Sequence, residues 1–480
     1  MGFSWLYLIF RYLSKLLLRG FYRSITVIHH EMIDFKKPII IFCTHTNMGN
    51  IAIVAATFPR PVRFWAKSSI FKINPIVTKV LNSLGVIPVD RETKNNRVLF
   101  EITFNAMKEL ETLVIYPEGT SHTSPHLLDL KDGGSWVALQ YKYNIFNHKE
   151  NPSRMFDKLN DVTLLPVGIT YFEKSKYRSN VIVTYGTPIH IGMYKDDFLI
   201  EPKNTVKKLT KVIQERLWKI TINAENWDIL RISEFSRTIL FGDNKNINAK
   251  DYISITQSFI NIYELQRLDP SHNDISDLYN ILEKELKALK LSCIEAVDII
   301  NLHTISRRWF LFQIIRTTIF LMIHILLVLP IILIHIPAYI ICYLVEKMQK
   351  FDESKAQNKI LIGFLVFITI DIYIFFAIRK VFAFHSLSET ISLSIIIITV
   401  NYYNKIVDGF YDRWKHYKKT WNLGWVIFSP YGKSYILERL HELQKAKKKL
   451  INMIQSGQGK DIDIIREAFE SIYIKHFHIE

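Results

Sequence analysis

The chain has 480 residues, is 49% hydrophobic and carries a formal net charge of +16. Its three cysteines, Cys43, Cys293 and Cys342, exclude a disulfide framework and a four-cysteine metal site and suit a reducing compartment. The apolar excess lies late in the chain, which argues for a membrane protein with a soluble part. The cationic balance fits an anionic partner such as nucleic acid, a lipid surface or a phosphorylated substrate.

Residues 3–25 mix aromatic and aliphatic residues with Arg11, Lys15, Arg19 and Arg23. Four cations at every fourth position predict one basic helical face, so residues 1–25 read as an amphipathic helix lying on a membrane. The alternative is a first helix packed into a core. A secretory signal fits poorly, because there is no clean apolar region and no small-residue cleavage site.

From 26 to 225 the texture is α/β. The runs 38–43, 61–66, 112–116, 162–171 and 180–185 read as strands, with helices predicted over 71–84 and 94–111. This alternation predicts a mostly parallel sheet covered by helices, with the site at the carboxyl ends of its strands. Residues 226–305 read as a helical insertion, broken at 268–277, to which no chemistry is assigned.

Residues 306–405 read as a transmembrane region. Between Arg316 and Glu346 lie 29 residues without Asp, Glu, Lys or Arg, interrupted by Pro330 and Pro337. Residues 360–378 are a second apolar run, broken by Asp371, and 390–403 a marginal third. The first run is either one long kinked helix or a re-entrant hairpin. His324 and His335 fall on one face of it and read as interhelical hydrogen-bonding residues; no metal site is assigned. Residues 406–480 read as a soluble helical tail, in which 445–450 is a basic face able to touch anionic lipid.

Four stretches carry the chemistry: "CTHTNMGNIAI" (43–53), "LGVIPVDRE" (84–92), "IYPEGTSH" (115–122) followed by "LKDGG" (130–134), and "LLPVGITY" (164–171). In this order and spacing they resemble the membrane glycerolipid acyltransferases, whose pattern is a His with an Asp five positions on, then Gly-x-x-x-x-x-Arg, Phe-Pro-Glu-Gly-Thr and an apolar Val-Pro-Val-like block. The matches are His45, Gly85 through Arg91, Pro117 to Thr120, and Pro166. The surroundings 64–77 and 117–134 are similar to the fungal-type branch acting on glycerol-3-phosphate or dihydroxyacetone phosphate. The resemblance covers roughly residues 38–190.

The resemblance implies O-acylation of glycerol-3-phosphate at position 1, with dihydroxyacetone phosphate as a further acceptor. Acyl-CoA is the donor substrate and there is no other cofactor. The lipid bilayer is a partner and nucleic acid is not, since no recognition motif supports it. The implied setting is the endoplasmic reticulum membrane, multi-pass, with the site facing the cytosol. Acylation of 1-acyl-glycerol-3-phosphate and a weakened lipid-binding relative are the alternatives.

Acyl transfer to an alcohol needs a base for the hydroxyl proton, and imidazole, ordinarily titrating near about 6.5, suits the task. His45 takes that role. No Ser or Cys lies in a nucleophile-elbow context, and Cys43 reads as a small buried hydrophobe. Arg91 is the leading phosphate ligand because guanidinium binds phosphate bidentately; the alternative is an ion pair with Asp90 or Glu92. The resemblance implies that Glu118, Gly119 and Thr120 bind the phosphorylated acceptor, the alternative being a bare turn, and makes Lys67 and Lys131 second-tier candidates for phosphate or CoA, where they otherwise read as surface lysines. Pro166 shapes an acyl groove or belongs to a core strand. Asn50 departs from the family pattern, which has Asp there. An Asn oxygen accepts the imidazole hydrogen bond but supplies no charge, and in the serine-protease triad the same exchange lowers kcat by about 10⁴. Asn50 therefore works at reduced rate, or another residue orients His45, or the chain is a weakened or inactive relative.

Overall fold

The computed structural model describes residues 4–29, 33–90, 97–143, 162–242, 247–268, 273–302, 304–349, 352–381 and 385–477. All five runs predicted as strands are strands: β2 (Ile39–Cys43), β3 (Val62–Lys67), β5 (Thr112–Ile115), β6 (Thr163–Tyr171) and β7 (Asn180–Tyr185). Three more were not anticipated: β1 (Ser24–Ile28), β4 (Ile87–Val89) and β8 (Ile189–His190). They form one sheet in the order β1-β7-β6-β2-β5-β3-β4, with β8 pairing β6 off that path. The pairs β1–β7, β2–β5, β2–β6, β3–β4 and β3–β5 are parallel. Only β6–β7 and β6–β8 are antiparallel, so the sheet is mostly parallel as expected.

Strand β2 is buried at all five positions, and its alternation divides the core in two. Ile39, Ile41 and Cys43 join Val114, Leu165, Val167, Val181 and Val183 under α1 (Trp5–Phe21) and α2 (Asn50–Thr57). Ile40 and Phe42 join Leu113, Ile115 and Leu164 on the opposite face. There α5 (Arg97–Lys108), α6 (Gly133–Tyr143), α7 (Lys195–Ile200) and α8 (Pro202–Trp218) supply Leu99, Val137, Phe198 and Leu209. A strand covered on both faces needs no polar positions, which is why its sequence reads as a continuous apolar run.

The helix predicted over 71–84 divides into α3 (Ser68–Phe71) and α4 (Pro75–Ser83). Asn74 is the reason: its side chain accepts from the Ile76 N–H at 2.8 Å and starts a new helix with Pro75 in its first turn. Gly168 of β6 has a different constraint. A Cβ there would lie 2.7 Å from the Ile220 carbonyl oxygen and 2.8 Å from Thr221 Cγ2. A backbone carbonyl has little room to yield, so Gly168→Ala is expected to destabilise by about 1–3 kcal/mol, read as a lower urea midpoint at unchanged slope.

Helix α1 corrects the expected basic stripe. Its N-cap is Ser4, whose hydroxyl accepts from the Leu6 N–H. Tyr7, Ser14, Leu18 and Phe21 are buried in the core, while Trp5, Leu8, Ile9, Tyr12 and Leu16 form an exposed apolar face. Arg11 faces inward, donating to the Phe58 carbonyl at 2.6 Å and the Pro59 carbonyl at 3.0 Å beyond the end of α2. Lys15, Arg19 and Arg23 are exposed, and Arg23 lies outside the helix.

The chain divides into two compact units, Met1–Thr221 with Cys342–Phe364, which carries the sheet, and Ile222–Ile341 with Leu365–Glu480. The second unit is helical. Its elements include α9 (Trp227–Phe241), α10 (Ala249–Leu268), α11 (Asn273–Ser292), α12 (Ala296–Ile300), α16 (Gly432–Ser456) and α17 (Lys460–Phe477). A buried pair, Arg439 Nη1 to Glu285 Oε1 at 2.5 Å, joins α16 to α11.

The predicted transmembrane region forms α13 (Arg307–Met348), α14 (Asp352–Val381) and the first part of α15 (His385–Phe428). Pro330 and Pro337 lie inside α13, which is one continuous helix and not a hairpin. Among the described residues one stretch, Arg307–Leu326, is long and apolar enough to cross a membrane, by length and composition. The apolar stretch of α14, Gln357–Ile370, is shorter. His335 is buried and stacks on Phe367 at 4.6 Å, and His324 lies beside Gly409.

Candidate active site

The parallel strands bring the four blocks to one edge of the sheet. β2, β5, β3, β4 and β6 all end there; His45 and Glu118 follow β2 and β5, and Lys67 and Tyr171 are the last residues of β3 and β6. Arg91, two positions beyond β4, lies outside the described residues, and so does Glu92. Lys67 is exposed at the end of β3, level with Val89 of β4.

The loop after β2 is held from several sides. The Thr44 N–H donates to the Val167 carbonyl at 3.1 Å, and the Thr44 hydroxyl oxygen accepts from the Ile169 N–H at 3.2 Å. Asn47 Oδ1 accepts from the Gly49 N–H at 2.9 Å, turning the chain into α2. His45 is partly exposed, and its ring stacks on Tyr116 with centroids 4.3 Å apart and planes 23° from parallel. Tyr116 was not singled out from the sequence, where it reads as one more apolar residue at a strand end.

Glu118 is the centre of the arrangement. It is 3% exposed, and its carboxylate is engaged by the protein itself. Oε1 accepts from the His45 backbone N–H at 2.6 Å. Oε2 accepts from the Leu128 N–H at 3.2 Å and pairs with His122 Nε2. His122 Nδ1 accepts from the Ser124 N–H at 3.1 Å, so Nε2 carries the hydrogen and donates to the carboxylate. The His122 N–H in turn donates to the His45 carbonyl at 3.2 Å. The Pro-Glu-Gly-Thr block is therefore tied to the histidine loop through both Glu118 and His122. His122 was missed. The only signal was a second imidazole four positions after Glu118, and without a helix that spacing has no geometric meaning.

The remainder of the block turns the chain. The Gly119 N–H donates to the Tyr116 carbonyl at 3.0 Å, and φ of +76° is available there only to a residue without Cβ strain. Thr120 is exposed, its hydroxyl donating to the Ser121 carbonyl at 3.3 Å. Lys131 comes to the same turn. Its N–H donates to the Pro117 carbonyl at 2.7 Å, and its stem passes Gly119, Cγ lying 3.4 Å from where a Cβ would stand.

Asn50 opens α2 and is fully buried. Nδ2 donates to the Thr44 carbonyl at 2.7 Å, and Oδ1 accepts from the Tyr171 hydroxyl. The amide thus fastens the residue before His45 to the end of β6. Burial pushes the Tyr171 and Tyr116 phenols well above their ordinary pKa, so both stay protonated donors at neutral pH. Cys43 is fully buried, and burial, with Glu118 nearby, pushes its thiol well up. It is a small core hydrophobe and not a nucleophile.

Pro166 is buried inside β6 opposite Phe42 of β2. It belongs to the core strand. β8 pairs with Thr163 and Leu164, and β7 pairs from Val167 onward. Pro166 sits between the two ladders, where a missing N–H breaks no pairing.

A family model described as Acyltransferase matches residues 24–170. Glycerol-3-phosphate O-acyltransferase 2 of Saccharomyces cerevisiae is 26% identical over 268 residues, covering 56% of this chain and 34% of that protein. Glycerol-3-phosphate O-acyltransferase 1 of the same yeast is 25% identical over 194 residues, 39% of this chain and 23% of that one. The chain thus spans about a third or less of the length of these curated relatives. A solved 1-acyl-sn-glycerophosphate acyltransferase from Thermotoga maritima aligns over 43% of this chain and 79% of its own at 17% identity, with a TM-score of 0.31, a likeness too slight to carry an argument. The acyltransferase family model thus spans β1 to β6, the part of the sheet at whose carboxyl edge the His45 and Glu118 blocks interlock, and over that part the chain is similar to the fungal glycerol-3-phosphate enzymes.

Proposed function

We propose that this chain transfers an acyl group from acyl-CoA to the 1-hydroxyl of sn-glycerol-3-phosphate, and accepts dihydroxyacetone phosphate as well, without a further cofactor. The observation that carries this reading is the bond from the His45 N–H to Glu118 Oε1, which joins blocks 73 residues apart. It holds a partly exposed imidazole at the strand ends, with Tyr116 against one ring face. The yeast relatives, both named for glycerol-3-phosphate, support the choice of acceptor.

In this mechanism the His45 imidazole takes the hydroxyl proton as the oxygen attacks the thioester carbonyl. The tetrahedral intermediate then expels CoA thiolate, and the proton returns to sulfur. Lys67, Lys131 and Arg91 bind phosphate groups of acceptor and donor. Asn50 acts through the Thr44 carbonyl by fixing the histidine loop. The membrane partner is a bilayer reached through Arg307–Leu326, with further spans in 360–378 and 390–403, in the endoplasmic reticulum with the site facing the cytosol; the apolar Arg307–Leu326 stretch supports the first of these.

The deciding experiment is acyl-CoA-dependent acylation of glycerol-3-phosphate by the purified chain. His45→Ala is expected to lower the rate by about 10²–10⁴ with the thermal transition unchanged. A second reading, a weakened lipid-binding relative, is favoured by the buried Asn50 amide that stands in place of an anionic partner. Equal rates for the native chain and His45→Ala would establish that reading instead.

A further inference from the structure

Three of the four cations at the N-terminus converge on a cavity. Lys15 and Arg19 of α1 and Arg23 just beyond it line a cavity of about 420 Å³ together with Tyr22, Ala56 and Thr57. We propose that this cavity binds the phosphate monoester headgroup of a phosphatidate-like lipid, at a site separate from His45.

Three observations support it. None of the residues lining the cavity is acidic, and the Lys15 ammonium and Arg19 guanidinium are of the kinds that ordinarily bind phosphate. The cavity lies at the C-terminal end of α1, where helix carbonyls ordinarily repel an anion. Here the Arg178 guanidinium donates to the Arg19, Gly20 and Tyr22 carbonyls at 3.0, 3.2 and 3.3 Å and offsets that negative end. Finally, the same helix exposes Trp5, Leu8, Ile9, Tyr12 and Leu16, an apolar face suited to the acyl region of a membrane, with the cations at headgroup level.

The volume is within the ordinary range for small-ligand sites, and Leu18 and Ala56 leave room for glycerol carbons beside the phosphate. The cavity is distinct from the acyl-transfer centre. Asn50 opens α2 at the catalytic edge, while Ala56 and Thr57 close it, about 10 Å along the helix axis at about 1.5 Å per residue. A phosphate held there belongs to a second lipid and not to the acceptor being acylated.

The test reads binding and not turnover, so it is independent of the acyl-transfer reading. The full chain in neutral detergent micelles is titrated calorimetrically with dioctanoyl phosphatidate, dioctanoyl phosphatidylcholine and inorganic phosphate. Phosphatidate is expected to bind one-to-one and phosphatidylcholine not to bind. Lys15→Gln and Arg19→Gln, both exposed side chains, are each expected to weaken phosphatidate about tenfold, while Lys208→Gln on α8 leaves it unchanged. Unchanged affinity in the Lys15 and Arg19 variants, or equal binding of phosphatidylcholine, overturns the site. Inorganic phosphate binding as tightly as phosphatidate overturns its assignment to a lipid.

Discussion

Glu118→Gln is expected to lower acyl transfer by at least about 10²-fold and stability by about 1–3 kcal/mol. The carboxylate is buried and divides its two oxygens among three donors, the His45 N–H on one side and the Leu128 N–H and His122 ring on the other. Glutamine has a single oxygen. Its amide NH₂ must face one of those groups donor against donor, and a buried donor without an acceptor carries its full desolvation cost. If the NH₂ faces His45, the loop bearing the imidazole shifts, and displacement of a catalytic group by about 1 Å costs about 10² in rate. Steady-state kinetics with glycerol-3-phosphate, run beside thermal unfolding, separates the possibilities. A clamp lowers kcat and the transition temperature together. A carboxylate that served only to bind the acceptor hydroxyl would raise KM at unchanged stability, and that result would remove the clamp.

Asn50→Asp is expected to destabilise the chain by at least about 2 kcal/mol and to leave kcat no higher, although it restores the family residue. Nδ2 of Asn50 donates to the Thr44 carbonyl at 2.7 Å inside a fully buried pocket. An ionised carboxylate there places oxygen against oxygen, with the Tyr171 hydroxyl as its one donor among the described residues. The introduced carboxyl keeps the Thr44 bond only while protonated, so its folded pKa lies above the unfolded value near about 4. A folded pKa raised above the unfolded one gives stability that is present at acid pH and lost as pH rises. Urea unfolding at about pH 5 and about pH 8 should therefore show the deficit growing toward the higher pH. A large gain in turnover would show instead that the native imidazole works without an anionic partner it needs, and that the Thr44 bond matters little.

The two substitutions differ in what their positions revealed beforehand. Glu118 stood out as a carboxylate after a buried strand, and Asn50 as the amide in place of an acid, so both positions were legible. Their roles were not. Each side chain's partners lie far along the chain, 73 residues from Glu118 to His45 and 121 from Asn50 to Tyr171, and no local pattern encodes such a pairing.

The sequence by itself determined the sheet and the edge that carries the chemistry. Strands such as "PIIIFC" and "VTLLPVGITY" are buried on both faces, and a continuous apolar run has few other ways to satisfy its backbone than a covered sheet. The strands it did not determine lack that signal: β1, at the edge of the sheet, has three exposed and two half-buried positions, and β4 and β8 are three and two residues long. Only the tertiary structure decided how α1 divides its faces, because a stripe of cations at every fourth position is the same whether it meets headgroups, caps α2 through Arg11 or closes a cavity through Lys15 and Arg19. It also decided which donors the Glu118 carboxylate meets. A buried carboxylate takes whichever N–H groups the folded chain presents to it, and those groups are set by packing between segments distant in sequence.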